Sequence, residues 1–329
     1  MKCLLKGMLV ASLVVSATLA KDAVKVTAMK TAKKTIITPT SVGDIEIFTA
    51  ANPKGKITPK QIEEAFKKAG FTVSANRDMN GPFKKQFKSS GFDTFHLFTF
   101  YKKEAVLELV KKYPNVGLFA PMSMSIYTKT GDKTISVSSL TVEAMAKIMK
   151  APKEDKTLLA LRALVKKTLK SVMPQGSFEN AKHEIQTPQG SLVTEYTMEM
   201  DAKDWDEELE DLKMSLEGEI APNGFVIAGF NNLGDEFEES KYEVYDFYEV
   251  YSICKLPVIY TIAKTRPEAG AYAPCSLYLY KKKNDKMMHI GFPSVYNWIS
   301  SMAIKNTEEI KVLEAAQKGM NKILKSLTE

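Results

Sequence analysis

The sequence predicts an α+β protein: two tandem two-layer α/β modules, each an antiparallel or mixed sheet packed with helices, docked as a pseudo-dimer. Three observations lead there. The chain matches itself when slid by 153 positions. Strand-like alternation and helix-like periodicity recur in the same order in both halves. Finally, 329 residues exceed what a single core usually supports, whereas half that length can bury a core without metal or disulfide staples.

The self-match is densest where Gly117–Lys133 falls on Gly270–Lys286, with eight of seventeen positions identical. The register continues upstream without a gap, placing Phe92–Lys102 on Tyr245–Lys255 and Pro114 on Pro267. One residue of slippage brings Gly70-Phe71 onto Gly224-Phe225, and Leu169–Val172 resembles Leu324–Leu327 near the ends. An ordered series of this length is the signature of a duplicated unit.

Each copy reads in the same order. Asp44 to Ala50 and Leu192 to Met200 alternate as strands. Thr58-Pro59 opens a helix that ends at Gly70, and its counterpart is the acidic helix around Asp204 to Leu216. Short strands follow at Phe71 to Ser74 and Phe225 to Ala228, then aromatic-rich strands at Phe95 to Tyr101 and Tyr242 to Ile253. A second helix is expected at Lys103 to Tyr113 and Leu256 to Thr265. Next comes a hairpin in which Met122, Met124 and Ile126 alternate with Ser123, Ser125 and Tyr127, turn at Gly131, and return through Ile135 and Val137. Helices at Val142 to Met149 and Leu158 to Val172 close the first copy. Those at Val295 to Ala303 and Glu308 to Leu327 close the second.

The domain layout can be set out from these elements. Residues 1–20 have the form of a secretory signal peptide: Lys2 and Lys6, an apolar run from Met8 to Leu19, then Thr18 and Ala20 as small residues before Lys21. Residues 21–172 form the first repeat, 173–190 a Pro- and Gly-containing linker, and 191–329 the second repeat. A periplasmic or secreted location is expected. Charge separates the halves. Lys21 to Val172 holds 28 basic against 13 acidic residues, a net of +15, and Met173 to Glu329 holds 16 against 26, a net of −10. Opposite fields favour docking one repeat on the other within a monomer and disfavour like-with-like pairing between chains.

The segment Gly270-Ala-Tyr-Ala-Pro274-Cys275-Ser-Leu-Tyr-Leu-Tyr280, after an aromatic strand and a helix, resembles the bacterial and archaeal family called domain of unknown function 302. Gly70-Phe-Thr-Val73 and Gly224-Phe-Val-Ile227 are similar to that family's helix-to-strand step. The resemblance covers about 100 residues of each copy. It implies a two-layer α/β module that tends to pair, and it brings no reaction. Two departures stand out: Met122 occupies a position where the family favours Cys, and the family's Asn-Pro is replaced by Lys102-Lys103 and Lys255-Leu256-Pro257.

Chemistry-bearing motifs are sparse. Cys254 and Cys275 could form a disulfide in an oxidising compartment, or serve as two buried thiols, and their separation decides between these. A thiol-dependent enzyme or redox protein would centre on Cys275, with His289 on the return strand of its hairpin as the base. The sequence has no Cys-x-x-Cys, His-x-x-x-His, P-loop, nucleophile elbow or dinucleotide fingerprint, so no metal or cofactor is expected. Nucleic acid is not an expected partner. The lysine-rich first repeat suits an anionic lipid or polysaccharide surface. The favoured expectation is a non-catalytic module that binds a small ligand or a periplasmic protein in the cleft between repeats. The hairpin starts, Pro121-Met122-Ser123 and Pro274-Cys275-Ser276, are the candidate binding residues.

Overall fold

A computed structural model describes residues 43–180, 183–201 and 204–329. The expected signal peptide (1–20) and the first repeat up to residue 42 lie outside the described residues. The first repeat builds a six-stranded sheet in the order β2-β3-β4-β5-β1-β6. Its strands are β1 (Ile45–Ala51), β2 (Thr72–Asp78), β3 (Phe92–Tyr101), β4 (Met122–Lys129), β5 (Thr134–Leu140) and β6 (Ser177–Asn180). The second repeat builds a five-stranded sheet in the order β7-β11-β10-β9-β8. There the strands are β7 (Val193–Glu199), β8 (Val226–Asn232), β9 (Tyr245–Cys254), β10 (Cys275–Lys282) and β11 (Met287–Pro293). All pairings are antiparallel. The registers repeat as well: Phe100 pairs with Met122 as Ile253 pairs with Cys275.

The helices form where periodicity and caps placed them. α1 (Pro59–Lys68) starts in a capping box, with the Thr58 side chain accepting from the Gln61 N–H and the Gln61 side chain accepting from the Thr58 N–H. α5 (Lys156–Val172) and α10 (Thr307–Thr328) are capped by Asp155 and Asn306, each of which accepts two backbone N–H bonds. α3 (Lys103–Val110), α4 (Val142–Met149), α6 (Trp205–Ile220), α8 (Leu256–Ala263) and α9 (Tyr296–Ser301) complete the expected set. Two helices fall outside that set: α2 (Asn80–Phe87) and α7 (Leu233–Glu239). The expected second helix of each repeat also ends early, and a 3₁₀ helix succeeds it at Pro114–Phe119 and Pro267–Tyr272. The linker is not all irregular, because β6 extends the first sheet along β1 and lays Phe178 on Phe48 at 4.2 Å. At the end of the second sheet β7 shows exposed Glu195, Thr197 and Glu199.

Strand alternation gives each sheet two distinct faces. Phe98, Phe100, Met122 and Met124 lie on the face that packs with the repeat's own helices, where Phe66 of α1 meets Phe98 and Phe100 at 5.3 and 4.7 Å. The opposite face receives the 3₁₀ helix of the other repeat. A methyl group on Gly117 would stand 2.6 Å from Tyr278 Cβ, and one on Gly270 would collide with Ser125. Gly117 and Gly270 are equivalent positions, as are Ser125 and Tyr278, so the contact is reciprocal in the way an isologous interface requires.

Hydrogen bonds follow the same pattern. The Tyr248 hydroxyl donates to Pro114 O at 2.6 Å and accepts from the Gly117 N–H at 2.8 Å. In the other direction, Ser125 Oγ donates to Pro267 O at 2.8 Å and Ser138 Oγ to Glu268 O at 3.0 Å. Direct charge pairing is peripheral: among the described residues, Lys103–Glu239 at 2.6 Å is the one ion pair that joins the repeats. The predicted pseudo-dimer therefore exists, with a mostly uncharged seam. Gly270→Ala should cost about 1–3 kcal/mol through overpacking, read as a lowered Tm in a thermal melt. An unchanged Tm would show that the two repeats are not so closely apposed.

Candidate functional site

The hairpin starts lie at the centre of the seam. Ser123 Oγ donates to Pro274 O at 3.0 Å, and the equivalent Ser276 Oγ donates to Pro121 O at 3.1 Å. Both prolines follow cis peptide bonds, Ala120–Pro121 and Ala273–Pro274. The crevice among these residues measures about 20 Å³, room for a single water-sized group. Pro121, Ser123, Pro274 and Ser276 thus join the repeats. Met122 packs in the first repeat's apolar interior, and Cys275 sits at the edge of a cavity inside the second.

A larger space opens beside the seam, where the end strands β2 and β8 of the two sheets approach one another. Ser74 Oγ donates to Asn231 Oδ1 at 2.9 Å, and Arg77 donates from Nε and Nη2 to Ala228 O at 3.0 and 2.8 Å. Each end strand carries a register shift at the equivalent place, Val73/Ala75 and Ile227/Gly229. Such bulges bend a strand and re-aim its side chains. Between the strands lies a cleft of about 250 Å³, lined from one side by Ala75, Met79 and Leu97 and from the other by Val226, Ala228 and Leu256. Arg77, Asp78 and Thr99 add polar groups. Val226 stays 55% exposed, so the apolar wall reaches solvent.

The cysteines are both free and partly buried. Ile253, not Cys254, is the cross-strand partner of Cys275. Burial among apolar neighbours pushes each thiol up to about 12. A nucleophilic cysteine needs the reverse shift. His289 does not serve Cys275 as a base, which corrects the expectation from the hairpin. It pairs with Tyr280 and stacks on that ring at 4.8 Å. Cys275 lies five residues away along β10, roughly 16 Å at the usual strand rise. Burial also holds His289 and His96 below their ordinary value. His96 Nδ1 is bonded to Asn76 Oδ1 at 2.8 Å, and His183 Nε2 to Glu268 Oε1 at 2.9 Å. Among the described residues, no group of three or more His, Cys, Asp or Glu side chains is placed to hold a metal ion. No helix among them is long and apolar enough to cross a membrane.

With this geometry in view, comparison with known proteins places the molecule. The family model described as domain of unknown function DUF302 matches the chain twice, over residues 51–173 and 197–327. The chain belongs to the DUF302 family. Among solved structures it is similar to the crystal structure of an uncharacterized conserved protein DUF302 from Bacillus stearothermophilus, at 15% identity and a TM-score of 0.34. That match covers 43% of this chain and 100% of the other. No curated protein matches it.

In this tandem DUF302 protein the two copies have diverged inside as well as on the surface. In the first, Arg162 of α5 forms a buried ion pair with Glu46 of β1, and Lys166 approaches the same carboxylate at 3.2 Å. At the equivalent positions of the second, Gln317 Nε2 donates to Thr194 Oγ1 at 2.8 Å. Neutral groups therefore suffice at this point of the fold. The pair escapes sequence reading because its partners stand on the first strand and the last helix of the repeat, far apart along the chain.

Two measurements test these points. Arg162→Gln alone leaves Glu46 with Lys166 as its cation and should destabilise by about 3 kcal/mol. Adding Glu46→Thr should recover most of that loss in denaturant titrations, and a non-recovering double variant would contradict the equivalence. Separately, the folded thiols keep their protons up to about 12, whereas an unperturbed thiol releases its proton near 9.0. Between those values the unfolded chain binds fewer protons, so stability falls as pH rises through the window. At neutral pH the native thiolate fraction is lowered roughly a thousandfold. Iodoacetamide should accordingly label Cys254 and Cys275 slowly in the native protein and quickly in urea.

Proposed function

We propose that this protein is an exported, non-catalytic binding module that takes a small, mainly apolar ligand in the cleft between its repeats. The supporting observation is the cleft itself: about 250 Å³, walled by both copies, apolar in most of its lining, with Arg77, Asp78 and Thr99 available for orientation. Its size is near the lower end of small-molecule sites, and a few polar groups in an apolar wall are the usual composition of such sites. The thiol-centred alternative has less support, since both thiols are shifted away from reactivity and His289 stands opposite Tyr280, not Cys275. Export rests on the leader-like residues 1–20.

The neutral fluorophore 1-N-phenylnaphthylamine is a suitable probe of the cleft. Its emission should rise with the native protein, and Ala75→Trp, which fills the space, should weaken binding at least tenfold. Unaltered titration curves for that variant would place the ligand elsewhere. N-terminal sequencing of the protein from its host should begin at Lys21, and a chain retaining Met1 would argue against cleavage.

A further inference from the structure

The relation between the repeats places two equivalent regions beside β2 and β8, and the chain treats them differently. The hydrogen bonds between these strands agree with that relation, because Ser74 corresponds to Ala228 and Asn231 to Arg77. On one side, Tyr101 of β3 crosses to the other repeat, where its hydroxyl donates to Glu236 Oε1 of α7 at 2.5 Å. Lys103 pairs with Glu239 beside it at 2.6 Å. The self-match puts Cys254 at the position of Tyr101, Leu256 at Lys103, Pro82 at Glu236 and Lys85 at Glu239. Neither pairing can form from these residues. Cys254, Leu256 and Pro82 instead line the cleft of about 250 Å³. The cleft therefore lies where the other side is crossed by a tyrosine ring.

The lining suits an aromatic ring. Met79 is part of it, and a methionine thioether makes a favourable contact with a ring edge. Leu97, Leu256 and Val226 extend the apolar surface. An apolar cavity of roughly 150 Å³ is enough to bind benzene, so the cleft has room for one ring and a substituent. Burial pushes the Cys254 thiol up to about 12, which leaves it neutral at ordinary pH. The charged groups of the lining, Arg77 and Asp78, are both exposed and of opposite sign. Arg77 already donates to Ala228 O, and Asp78 Oδ1 accepts from the Asn80 N–H. A neutral ligand thus meets no unbalanced charge.

We propose that the cleft selects an uncharged compound with a single aromatic ring, which takes the place that Tyr101 fills on the other side. The ring packs against Met79, Leu97 and Leu256 beside Cys254, and its substituent leads out toward Arg77 and Asp78. This names the ligand class of the cleft and rests on the reading that the cleft is a binding site.

The probes are phenol and cyclohexanol, which are alike in size and charge and differ in aromaticity. They are titrated into protein carrying ¹³C-methyl methionine. The chain has sixteen methionines, and Met79→Leu identifies the Met79 signal. Phenol should move that signal upfield by its ring current and saturate, binding roughly fivefold more tightly than cyclohexanol. Cys254→Tyr supplies the ring from the chain itself and should abolish the response to phenol. Ala75→Trp should do the same, and it carries this arm of the test if Cys254→Tyr does not fold. The proposal is overturned if phenol fails to move the signal, if cyclohexanol binds as tightly, or if a folded variant responds as the parent does. In each of those cases the cleft reading stands as long as 1-N-phenylnaphthylamine still binds there. Should none of the three compounds bind, both readings fall.

Discussion

The close approach of two glycines to the facing sheets controls the rest of the molecule. Gly117 and Gly270 let the 3₁₀ backbones settle onto the opposing repeat with no side chain between them. That proximity brings Pro114 O and Pro267 O within reach of Tyr248 and Ser125, which satisfy carbonyls that would otherwise be buried without donors. Each sheet face is thereby completed by the sibling copy, and the cleft beside β2 and β8 has the width that this docking distance leaves. The two copies meet the requirement differently. A tyrosine crosses in one direction and a pair of serines in the other, so equivalent geometry does not demand equivalent residues.

The opposite net charges of the halves play little part at the centre of this seam. They act around it, where Lys103 meets Glu239 and the Tyr101 hydroxyl donates to Glu236 Oε1 at 2.5 Å. Hydroxyl-to-carbonyl bonds dominate the middle, where desolvating full charges would cost more than the pairing returns. Long-range fields can still speed or orient the meeting of the repeats during folding. Divergence after duplication thus reached the surface, the interiors and part of the contact zone, which kept its glycines, prolines and the Ser123/Ser276 pair while Ser125 and Tyr278 came to differ.

Much of the architecture was legible in the sequence because duplication supplied its own control. Positions such as Phe100 and Ile253, or Met122 and Cys275, could be matched before any strand was placed, and their cross-strand registers agree. The helices α2 and α7 were hidden by local composition. Asn80-Gly81-Pro82 and Asn231-Asn232-Leu233-Gly234 read as turns, and the packing of Phe83 and Phe237 overrides that preference. The 3₁₀ helices had no element assigned to them, since prolines at 114 and 267 mark the end of the preceding helix but leave the geometry of the next turn open. The cleft was anticipated as a location between copies, but its walls were not, because they come from edge strands whose bulges have no sequence signal.

The two sheets end differently, and this bears on self-association. The first is finished by β6, a strand of four residues borrowed from the linker, whereas the second ends at β7 with outward-facing Glu195 and Glu199. If two molecules tried to join β7 to β7, rows of carboxylates would confront each other across the new ladder, and a four-residue strand gives little purchase for growth at the opposite margin. A protein so rich in antiparallel strands therefore carries built-in resistance to stacking into fibres, supplied by a borrowed strand at one border and by repulsion at the other.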